Sequence, residues 1–143
     1  MRFELKTFLS YNARDRRLFS QAWFLLLGID LALRTLPLHR VQSWVQSPGR
    51  RKELPGQEQT DEIISRTSKF VDRAARHHLY PMTWLRRSLA LQWLLSRSGL
   101  DTRLQYGVRR ENGKLQAHAW LEFQGRSIGE AVEPTGLYVP FKV

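Results

Sequence analysis

His118 is the residue around which any chemistry in this chain would have to be built. It lies in the run Leu115-Gln116-Ala117-His118-Ala119-Trp120-Leu121-Glu122-Phe123. Strand alternation there points Leu115, Ala117, Ala119, Leu121 and Phe123 one way, and Gln116, His118, Trp120 and Glu122 the other. An imidazole titrates near neutral pH and acts as a general base when a nucleophile stands within hydrogen-bond reach. The chain has no cysteine, which excludes a thiol nucleophile, a disulfide and a thiolate metal site. Two hydroxyls stand near the start of a predicted helix. Thr83 reads as its N-cap, with the hydroxyl taken up by a backbone N–H, and Ser88 as a small packing residue one turn deeper. Either would need a placed base to become a nucleophile. His77 and His78 adjoin on another predicted helix, where His78 falls on the apolar stripe as a core or boundary residue. No further ligands accompany them, so no metal and no other cofactor is expected.

The elements that must position His118 are legible in the periodicity. From Trp84 to Leu95, leucines and tryptophans recur at three and four, between Thr83 as N-cap and Gly99 just past the end. After Gly99 the period changes to two. Asn112-Gly113 is a strong hairpin signal, so Leu104–Arg110 should pair antiparallel with Lys114–Phe123. Gln124-Gly125 predicts a second tight turn into a third strand, Arg126–Glu130. The expected fold class is α+β: a helix packed on an antiparallel sheet of at least three strands, preceded by an N-terminal helical arm. Arg86 or Arg87 is expected to pair with Glu122.

A helix followed by three antiparallel strands, with a histidine on the middle one, is the core unit of thiol enzymes of the papain and transglutaminase type. Two blocks sharpen the likeness. Trp84-Leu85-Arg86-Arg87-Ser88-Leu89-Ala90-Leu91 and Ala117-His118-Ala119-Trp120-Leu121-Glu122 resemble the lasso-peptide leader peptidases (the McjB C-terminal domain family), which are transglutaminase-like proteins. The resemblance covers Thr83 to Glu130 and, more loosely, the apolar helix ending near Pro37. It implies a Cys-His-acid mechanism in which the thiolate is favoured by the helix N-terminus and a nearby histidine. Arg87, Ser88, Leu89, Ala90 and Leu91 match the family's first block, which puts Trp84 on the cysteine position. His118 matches the base, and Glu130, or else Glu133, the acid. An indole has no lone pair available for attack, so thiol proteolysis is excluded as the sequence stands. The resemblance also implies three partners: a ribosomally made precursor peptide, a separate leader-recognition protein and a lasso cyclase. A non-catalytic peptide-binding scaffold of the same fold is the alternative.

At 143 residues the chain is expected to be one globular chain, 42% hydrophobic and 25% charged, large enough to bury a core. Its organisation is read as an N-terminal helical arm and linker over 1–55 and a transglutaminase-like core over 56–143. Residues 1–10 read as a strand or arm, Arg14–Leu36 as a long helix ended by Pro37, and Leu38–Val45 as a short second helix. Ser20, Gln21, Gly28, Asp30 and Arg34 interrupt the long helix too often for a membrane span. An arm packed on the core is expected, with contact to a membrane surface or partner as the other reading. Residues 47–56 read as a loop, followed by a helix capped by Thr60 with Ile63, Thr67, Phe70, Val71, Ala74 and His78 as its buried stripe. The formal net charge is +10, but the basic residues are dispersed and no recognition helix or aromatic platform accompanies them, so no nucleic-acid partner is expected. With no secretory signal in view, a cytoplasmic location is expected.

Overall fold

The helix that begins at Trp84 is the element against which the others pack. The computed structural model describes residues 5–46 and 55–129, and the backbone of residues 139–140. In chain order the elements are α1 (Leu5–Ser10), α2 (Ala13–Thr35), α3 (Leu38–Gln46), α4 (Gln57–Arg76), α5 (Trp84–Arg97), β1 (Arg103–Glu111), β2 (Lys114–Phe123), β3 (Arg126–Ile128) and β4 (Val139–Pro140). α5 touches α2, α3 and α4 on its helical side and β1 and β2 on its sheet side. Leu89, Ala90, Leu91, Leu94 and Leu95 are accordingly buried. Its start is set by Thr83, whose Oγ1 accepts from the Arg86 N–H at 3.5 Å. Its end is set by Gly99 at φ +85°, with the Leu100 N–H reaching back to the Leu95 carbonyl at 2.9 Å. A left-handed residue past the last turn with this backward hydrogen bond satisfies carbonyls that the helix leaves open.

The sheet has the order β3-β2-β1-β4 and every pairing is antiparallel. Asn112 at φ +51° and Gly113 at φ +76° form the β1–β2 turn, and Gln124 at +50° and Gly125 at +78° the β2–β3 turn. Positive φ at both central residues gives the turn whose twist matches the flanking strands. The α+β expectation therefore holds, with β4 joining from near the C-terminus. The alternation expected for β2 holds only in its inner half. Ala119, Leu121 and Phe123 are buried in the core, while Leu115 is 69% exposed and Ala117 is exposed too. His118 and Trp120, on the opposite face, are as buried as the core residues.

The N-terminal half departs from expectation in two places. Residues Leu5–Ser10 are helical rather than extended; Phe8 packs edge-on against Tyr11 and Phe19, so α1 is held by aromatic contacts. α4 starts at Gln57 behind Gly56, not at Thr60. Thr60 lies inside the first turns, buried, with its hydroxyl donating to the Pro55 carbonyl at 3.2 Å, so it closes the turn from within. Against the expectation drawn from its polar interruptions, α2 is long and apolar enough to cross a bilayer by length and composition. Phe19, Ala22, Leu26 and Ile29 bury one of its faces in the same core as α4 and α5, and Phe24 and Leu31 stay exposed on another. The loop expected at 47–56 lies outside the described residues up to position 54.

Candidate functional site

The start of α5 and the inner half of β2 meet at Trp84 and His118. The two ring centroids are 5.0 Å apart at an interplanar angle of 80°, an edge-on contact. His118 also stacks on Trp120 at 6.0 Å and 23°, and the Trp120 Nε1 donates to Glu122 Oε1 at 3.2 Å. The imidazole thus contacts two indoles. His118 is 7% exposed and Trp120 2%, whereas half of Trp84 faces solvent. The Arg87 guanidinium lies 5.6 Å from the Trp84 ring centre, a distance at which a cation is attracted to the indole face. Glu130 and Glu133 lie outside the described residues.

The N-terminus of α5 is held from beneath by a carboxylate that sequence reasoning treated only as a break in an apolar run. Asp30 of α2 is 1% exposed. It accepts from Arg86 Nε at 2.5 Å, from Arg34 Nε at 2.9 Å and from the Tyr80 hydroxyl. Arg86 also donates through Nη1 to Thr83 Oγ1 at 2.9 Å. A buried aspartate must be paired to be tolerated, and that was the available signal. Burial works to raise its pKa, but the hydrogen bonds from Tyr80, Arg86 and Arg34 outweigh this and hold the carboxyl below its ordinary value. The same bond to Asp30, together with burial, pushes the Tyr80 hydroxyl up.

This geometry corrects the expected pairing of Glu122 with Arg86 or Arg87. Arg86 goes to Asp30, and Arg87 Nη1 goes to Asp72 Oδ1 at 2.8 Å. The arginines sit on α5 where α2 and α4 pass, and those helices present their own carboxylates. His78 is buried, stacked on Trp23 at 4.5 Å, with Nε2 3.1 Å from the Trp23 carbonyl oxygen. Among the described residues no group of three potential metal ligands comes together.

Beside Trp84 a cavity of about 630 Å³ opens between α4, α5 and β3. Trp84, Arg87 and Ser88 line its α5 wall, and His118 is not among its lining residues. The indole therefore borders the cavity and touches the imidazole. In chemical terms the arrangement offers a base-type ring, aromatic surface and cations, but the α5 side chain that meets the His118 ring, Trp84, is incapable of attack.

No curated protein and no solved structure matches the chain. A family model described as the transglutaminase-like superfamily matches residues 23–142, a span that takes in α5, the sheet and both rings of the Trp84–His118 contact. The chain belongs to the transglutaminase-like superfamily.

Proposed function

We propose that this chain is a leader-peptidase relative of lasso-peptide maturation that has lost hydrolysis and binds its precursor peptide. The observation that carries this reading is the indole of Trp84 against His118, at the position where the resembling peptidases place their cysteine. Covalent catalysis by such a site needs a group that attacks the scissile carbonyl, and neither an imidazole nor a helix N-terminus supplies one. Loss of a triad member can leave roughly 10³-fold catalysis from the remaining groups, but that residue requires water at the carbonyl. A half-exposed indole stands where water and carbonyl would meet. What remains is an aromatic, cation-rimmed surface next to a cavity, which suits retention of a peptide. The precursor, a separate leader-recognition protein and the cyclase are the partners in this reading, acting in the cytoplasm, and the exposed Phe24 and Leu31 on α2 are the surface we assign to a membrane or partner contact.

The test compares cleavage of the cognate precursor peptide, with its recognition protein present, by the chain as it stands, by Trp84→Cys and by Trp84→Cys/His118→Ala. The expected result is no cleavage by the first, cleavage by the second and none by the third, with precursor binding in all. Equal cleavage by the unaltered chain and by Trp84→Cys refutes the loss of hydrolysis and turns attention to Ser88 or Thr83. Absence of precursor binding refutes the role in maturation.

A further inference from the structure

The cavity beside Trp84 has walls of three kinds, and together they specify an occupant. Its floor is apolar, with Ile64 and Val71 from α4, Leu91 from α5 and Ile128 from β3. Its rim carries Lys69, Arg76, Arg87 and Arg126 against only two carboxylates, Asp61 and Asp72. Asp72 is shared between Arg76 and Arg87, and Asp61 stands 3.6 Å from Arg126, so the rim keeps an excess of positive charge. Within the lining, Ser68 Oγ and Arg87 Nε are buried atoms without a hydrogen-bond partner among the described residues. Buried polar atoms are almost always paired; Arg87 Nε can only donate and the Ser68 hydroxyl can donate, so a carbonyl or carboxylate oxygen suits both. The third wall is β3, the edge of the sheet, which among the described residues pairs with β2 alone. An unpaired strand edge offers backbone donors and acceptors to an added strand. Next to it, Gly129 at φ +78° runs so close to the floor that a Cβ there would lie 2.5 Å from Leu91 Cδ2. The backbone thus follows the cavity wall with no side chain in between.

We propose that this cavity holds an extended acidic peptide segment, its backbone along β3 and its carboxylates on the cationic rim. The proposal rests on the peptide-binding reading above and deepens it by naming the chemistry of the segment. A volume near 630 Å³ lies within the range of specific ligand sites, about 300–1,000 Å³. The apolar floor takes alternate side chains of an extended segment and the rim takes the others, as the two faces of a strand require.

The test uses fluorescence anisotropy with the full chain and a fluorescein-labelled octapeptide alternating glutamate with valine. Its counterpart carries lysine for every glutamate. The unaltered chain should bind the glutamate peptide at least about tenfold more tightly, a difference of about 1.4 kcal/mol, and should lose that preference as salt screens the rim. Lys69 and Arg126 are exposed, so Lys69→Glu/Arg126→Glu leaves the core untouched and should abolish or reverse the preference. A preference retained in that double variant overturns the proposal, as does equal or absent binding of the two peptides. Binding of the cognate precursor is measured alongside. Precursor binding indifferent to the charge reversal removes this cavity while sparing the maturation reading. Charge-dependent octapeptide binding without precursor binding does the opposite.

Discussion

Replacing Asp30 by alanine should loosen the whole base of the Trp84 site. The carboxylate is 1% exposed and ties α2 to Arg86, which is itself only 22% exposed, and through Arg86 to the Thr83 cap. Breaking a fully buried ion pair by removing one partner costs about 3–5 kcal/mol, because a charge is left without its counterion. Arg86 keeps some contact with water and Arg34, at 60% exposure, adds little, so the expectation is about 2–3 kcal/mol. For a chain of this size that is roughly 10 °C in midpoint temperature. The measurement is urea unfolding followed by circular dichroism for Asp30→Ala, Arg86→Ala and the double variant. The two single losses should exceed their double by about 1–2 kcal/mol, since the double variant strands no charge. The pH dependence has a fixed sign. The Asp30 carboxyl is held below its ordinary value in the folded state, so its contribution is present above the unfolded carboxylate pKa and fades as pH falls below about 4. Asp30→Asn should flatten that part of the acid profile. A loss under about 0.5 kcal/mol for Asp30→Ala, or strict additivity with Arg86→Ala, would refute the anchoring argument.

Thr83→Ala removes both the cap on Arg86 N–H and an acceptor for its guanidinium, and should cost about 1 kcal/mol, with Thr83→Ser close to the parent; equal stability of all three would remove the cap from the account. Gly129→Ala puts a side chain at positive φ and against Leu91, and should lower stability by about 1 kcal/mol or more, measured by thermal unfolding, whereas an unchanged midpoint would show that the turn relaxes freely. Burial raises the Tyr106 hydroxyl above its ordinary value, with the bond from Gln42 opposing part of the rise. Stability from this neutral phenol is therefore full below the ordinary tyrosine pKa of about 10 and is lost as pH climbs through the raised value. Ultraviolet titration should find one late-ionising tyrosine fewer in Tyr106→Phe, and no difference between the two would count against burial of that hydroxyl.

Much of the fold was legible because its signals are local. Asn112-Gly113 and Gln124-Gly125 take positive φ at adjacent residues, Thr83 and Gly99 bracket α5, and the change of period after Gly99 separates helix from sheet. Each depends on residues within about one turn of one another, which is the reach of backbone sterics and capping bonds. The Thr60 reading failed for the same reason: its hydroxyl does bond a nearby backbone group, but to Pro55 from inside α4 rather than ahead of it. The site was legible in its parts and not in its wiring. Trp84 and His118 could be singled out by residue type and by resemblance, yet the edge-on contact between them is made by packing α5 on β2. Asp30 looked like an interruption because a helix periodicity does not say what will lie across from it; only the approach of Arg86 and Tyr80 turns that charge into an anchor. Arg86 and Arg87 left Glu122 because α2 and α4 bring their own carboxylates within reach, and Leu115 stays in water because β2 runs past the ground that α5 covers. Burial and charge pairing are decided by residues far apart in the chain, so they come into being only when the helices close over the sheet.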